Sequence, residues 1–92
     1  MKSAVIKAVC DYYEIPESKL MGKTRVEPYN TARHIAMALL LENKAYSTTY
    51  VAGLWGMSAS CALRAKNNIM DLVNHKKAND VQKAYLTLKE RL

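Results

Sequence analysis

Along residues 1–13 the apolar positions recur at helical spacing: Ala4, Val5, Ala8, Val9, Tyr12 and Tyr13 share one side, and Lys2, Lys7, Asp11 and Glu14 the other. This predicts an amphipathic helix that Pro16 ends near Tyr13 to Ile15. The segment 17–28, ESKLMGKTRVEP, mixes Gly, Pro and charge and predicts a short helical turn around Ser18 to Met21 followed by a basic loop. Asn30 or Thr31 is placed to cap a second long helix running to about Asn43. Its IAMALLL centre is apolar nearly all round, as in a helix enclosed by its neighbours. Ser47 caps the next predicted helix, which Gly56 and Met57 break, and Ser58 caps another that runs to about Asn74. On that helix Ala62, Leu63, Ile69, Met70 and Val73 fall inward, and Ser60, Arg64, Asn67 and Asp71 outward. After HKKAND a last helix places Val81, Ala84, Tyr85, Leu88 and Leu92 on one stripe. With no strand alternation anywhere, the pattern predicts an all-α fold of a single domain, residues 1–92.

The most informative stretch is Thr48 to Asn67, TTYVAGLWGMSASCALRAKN, which reads as a helix-turn-helix. Ala52 permits close approach of two helices, Gly56 supplies the turn, and Val51, Trp55, Met57, Ala62 and Ala65 occupy the inward positions. In such a motif the second helix presents its N-terminal residues to base edges in the major groove. Here those residues are Ser58, Ala59, Ser60 and Cys61, small groups with few donors. Arg64 and Asn67, further along, are better suited to base or phosphate contact. Thr48 and Tyr50 at the start of the motif join the candidates, since Tyr50, like Tyr46, can hydrogen-bond a phosphate. The plainer reading of this face is the solvated side of an ordinary helix.

Charge adds to the nucleic-acid reading. The chain of 92 residues carries a net charge of +6, and no acid lies between Glu42 and Asp71. Lys23 and Arg25 in the basic loop can reach phosphates or, for Arg25, a minor groove of negative potential. Lys44 and Arg33 flank the buried helix, and Arg33 sits near its N-terminus, where the helix dipole disfavours a cation unless an anion or solvent offsets it. Cys10 and Cys61 lie in apolar helical patterns without a CxxC or Cys/His cluster, which predicts free thiols and no metal site. His34 and His75 lack carboxylate or cysteine neighbours and are expected to be exposed and structural. The longest apolar run, Ile35 to Leu41, is far short of the roughly 20 residues that span a bilayer. No phosphate loop, paired carboxylates or nucleophile–base arrangement can be assembled, so neither an enzyme, a cofactor nor a small-molecule substrate is expected, and the cytoplasm is the expected location, at the nucleoid.

The strings VCDYYEI, LMGKTR, ARHIAMAL and VAGLWG, in that order and followed by a further helix, resemble the C-terminal DNA-binding domain of the bacterial replication initiator DnaA, from about Val5 to Leu72. The resemblance implies a Trp-repressor-like helical fold that binds double-stranded DNA, with an arginine of the basic loop entering the minor groove beside the helix-turn-helix. Arg25 matches that arginine, Lys23 matches a basic loop position, and Arg33 matches an arginine that faces the phosphate backbone. Three departures stand out. Where the family has Gly-Gly-Arg-Asp-His-Thr-Thr-Val, this chain has Gly56-Met57-Ser58-Ala59-Ser60-Cys61-Ala62, which retains only Ser60 as a comparable base-reading group. A further basic loop position is Glu27, expected to repel phosphate, and the family's Leu-Pro is Thr48-Thr49.

The expectation is therefore a stand-alone DnaA-like protein, bacterial or from a phage, acting in replication initiation or its regulation with a diverged target site. The alternative is a module of the same fold that has lost base readout and docks replication or regulatory proteins instead.

Overall fold

Residues 2–43 and 45–92 are described by the computed structural model, which is all-helical over them. The elements are α1 (Lys2–Tyr13), α2 (Glu17–Leu20), α3 (Tyr29–Glu42), α4 (Thr48–Leu54), α5 (Ala59–Val73) and α6 (Asp80–Arg91). Lys44, one of the expected backbone contacts, lies outside the described residues.

The centre is α3, which packs against all five other helices. Its buried residues run without a break from Ile35 to Leu40, because a helix covered on every side has no face left for polar residues. Around it gather Val5, Ile6 and Val9 of α1, Leu20 of α2, Val51 and Ala52 of α4, Ala62, Ala65 and Ile69 of α5, and Ala84, Tyr85 and Leu88 of α6. Each large apolar side chain so buried contributes about 2 kcal/mol.

Local chemistry sets the boundaries. At the end of α1 the amide of Ile15 bonds the Cys10 carbonyl and that of Glu14 the Asp11 carbonyl, with Glu14 in the left-handed region at φ 55°. This is a Schellman stop made without glycine, and Pro16 follows it. The hydroxyl of Ser47 caps α4 by accepting from the Tyr50 amide, and that of Ser58 caps α5 by accepting from the Cys61 amide. Asn79 does the same for α6 through the Gln82 amide.

Several expectations are corrected. Neither Asn30 nor Thr31 caps α3: Pro28 is the N-cap residue and offers no side-chain bond. The carboxylate of Glu27 takes the role from one residue earlier, accepting from the Thr31 amide at 2.8 Å and from its hydroxyl at 2.7 Å. Leu63, expected inward, is 45% exposed, and Leu92 and Ala4 also lie on the surface. Ile6 takes a core place that the α1 stripe had omitted. Met57 is half-buried at the core's edge.

Candidate nucleic-acid interface

The helix-turn-helix consists of α4, the turn 55–58 and α5. The turn is a second Schellman stop: the Met57 amide bonds the Ala52 carbonyl, the Gly56 amide bonds that of Gly53, and Gly56 takes φ +65°. A side chain at that φ is strained. A Cβ there would also sit 3.6 Å from Cε and Nζ of Lys23, so the lysine's end lies across the turn between the two helices. Loop and motif thus meet at Gly56.

Two buried donors fix that meeting. The Trp55 indole Nε1 donates to the Leu20 carbonyl at 3.0 Å, and Arg33 Nε donates to the same oxygen at 2.8 Å. Arg33 Nη1 then reaches the Thr24 carbonyl at 2.8 Å and Nη2 the Lys19 carbonyl at 3.1 Å. The resemblance sets Arg33 against the phosphate backbone. In the structure the residue is 3% exposed, and three of its donors hold the chain between α2 and the basic loop. Removal from water pulls its pKa below the usual arginine value. Its charge is balanced by the carbonyl end of α2 rather than by a carboxylate, which also answers the dipole cost of a cation early in α3. Among the described residues the ion pair found is Lys89 with Glu42, at 3.5 Å and remote from this region in sequence.

Between the loop, the start of α3, the turn and the first half of α5 lies an open groove of about 460 Å³. Five candidates from the sequence line it: Lys23, Arg25, Arg33, Cys61 and Arg64. Three further polar residues that the sequence reading did not single out for binding join them, namely Asn30, His34 and Asn68. The spacing held the signal for all three. Cys61, Arg64, Ala65 and Asn68 form one stripe of α5, and Asn30, Arg33 and His34 one stripe of α3. No acid lines the groove. His34 is half-buried rather than exposed, and its pKa lies below the usual histidine value, first through burial and then through Arg33, with Glu27 opposing.

The remaining candidates do not line the groove. Ser58 at the end of the turn and Ser60 and Asn67 on α5 are exposed, Ala59 is half-buried, and the Ser58 oxygen is already engaged as a cap. Thr48 is half-buried at the start of α4, and Tyr50 is 45% exposed and stacks on Tyr46 at 5.5 Å. Glu27 is tied to Thr31 at the start of α3, so its carboxylate serves the fold.

No helix of the described residues is long and apolar enough to cross a membrane, and among those residues no cluster of three or more His, Cys, Asp or Glu is placed to hold a metal ion. Comparison with individual curated proteins gives no match. Comparison with protein families does: the bacterial dnaA protein helix-turn-helix family matches residues 3–69, from the start of α1 through most of α5. Its match ends before α6, although Ala84, Tyr85 and Leu88 of that helix complete the core. With this match over residues 3–69, the chain belongs to the DnaA C-terminal helix-turn-helix family, a family of DNA-binding helical domains.

Proposed function

We propose that residues 1–92 act as one non-enzymatic unit that grips duplex DNA chiefly by its backbone. In this reading the N-terminal half of α5 enters the major groove and the basic loop lies on the adjacent strand, with Arg25 directed into the minor groove. Lys23 and Arg64 face phosphates from opposite walls, and Arg33 holds the loop in place. Ser58, Ser60, Asn67, Thr48 and Tyr50 border the contact, and Ala59 and Cys61 add small surfaces. The observation that carries this reading is the acid-free groove joining Lys23, Arg25 and Arg64, since backbone recognition needs several cations converging on one strand. Kinship with the initiator supports a role in replication initiation or its regulation, in the cytoplasm at the nucleoid.

The helix tip favours a second reading. Its side chains are small, and large apolar residues stand exposed on the same two segments, Val26 in the loop and Leu63 on α5. A replication or regulatory protein docking there is the alternative occupant. Chemical-shift mapping with a short random duplex separates the two. Perturbations at Lys23, Arg25, Cys61 and Arg64 are the expected result, and silence at these positions would transfer the face to a protein partner.

A further inference from the structure

The groove contains one group whose charge changes near neutral pH and which the DNA reading leaves unused. His34 stands on the α3 wall, half-buried, with Asn30 one turn before it. The groove that it lines is cationic. Arg33 precedes it on its own helix, and Lys23 and Arg25 of the loop and Arg64 of α5 line the same groove, together with the Cys61 thiol. Among the described residues Glu27 is the acid that acts on it, and that carboxylate is engaged with Thr31.

We propose that His34 contacts a DNA phosphate as an imidazolium, so that seating the strand in this groove takes up a proton and duplex binding strengthens as pH falls. This rests on the DNA reading above and adds its regulation by protons. In the free protein burial, and after it the neighbouring arginine, hold the His34 pKa below the usual value of 6.5, with Glu27 opposing. A phosphate brought among these cations adds a negative charge to a groove that no acid lines. It also gives the imidazole an acceptor for a charge-assisted bond, and both effects favour the protonated form. The bound-state pKa then exceeds the free-state pKa. Affinity is greatest below both values, falls as pH rises through the window between them, and is flat above the bound-state value. Each unit of separation is worth about tenfold in affinity.

The test has a direct and an indirect arm. The His34 imidazole resonance is titrated by NMR in the unaltered protein, with and without a short random duplex. An upward move of its midpoint on the duplex is expected, and an unmoved midpoint overturns the proposal. In parallel, duplex affinity is measured between about pH 6 and about pH 8, where histidine changes charge. Affinity several-fold higher at the acid end is expected. That dependence should be absent in His34→Gln and retained in Cys61→Ser, which removes the groove's thiol, and in His75→Gln, which removes the histidine beyond α5. Binding with no pH dependence, or with the same dependence in His34→Gln, overturns the proton linkage and leaves DNA binding standing. No binding at either pH, with the groove resonances unmoved, overturns both readings.

Discussion

The basic loop and the tip of α5 border the same groove but are built in opposite ways. The loop carries long exposed cations, Lys23 and Arg25, and is held from behind by buried donors of Arg33 and Trp55. The tip carries Ser58, Ala59, Ser60 and Cys61, and one of its two hydroxyls is committed to its own helix. Charge is thus presented on a fixed support, while the element that reads bases in such motifs offers few donors. In the proposed DNA-binding reading the difference places affinity and sequence discrimination in separate parts of this face: the loop and Arg64 hold a strand, whereas reading a sequence would need side chains that the tip lacks.

The largest expected effect comes from removing the support. Arg33→Ala leaves the carbonyls of Lys19, Leu20 and Thr24 without that donor and should lower unfolding free energy by about 3 kcal/mol. Arg33→Lys should recover only a small part of it, because one ammonium does not reproduce the planar fork. Denaturant unfolding decides the point, and wild-type stability in Arg33→Ala would leave this residue with only the phosphate-facing role that the resemblance implied.

A smaller loss, about 1–2 kcal/mol, is expected for Gly56→Ala, which forces a side chain into the left-handed region at the junction of turn and loop. The same unfolding measurement reads it. Next come the exposed cations. Arg25→Ala and Arg64→Ala should each weaken duplex binding several-fold, with unfolding unchanged, and each should reduce the slope of log affinity against log salt by about one unit. The smallest change is expected at the tip, where Ser60→Ala should alter affinity less than Arg64→Ala, since a lone hydroxyl contributes less than a charged fork. The reverse order, found by titration at fixed salt, would place the base-reading chemistry at the tip after all and erase the contrast between the two regions.

Much of the scaffold was legible in the sequence because it follows from local rules. The alternation of capping serines, the glycine after α4 and the all-round apolar centre of α3 each express a backbone or burial requirement that neighbouring residues satisfy. Glu27 escaped this logic because it caps from outside the usual position, and Leu63 because its place on the wheel lies at the border of the buried stripe. The candidate site was less legible. That Arg33 points inward depends on carbonyls of residues 19, 20 and 24, which only the tertiary fold brings to it. His34, expected to be exposed, becomes part of a cationic groove for the same reason, as the loop and α5 close around the start of α3.

The most direct measurement is the salt dependence of binding to a random duplex, compared between the unaltered chain and the Arg25→Ala/Arg64→Ala double variant. Two strand contacts carried by these residues predict strong salt-sensitive binding whose log–log slope falls by about two units in the double variant. An equal slope in the two proteins would contradict the groove as the site that holds DNA.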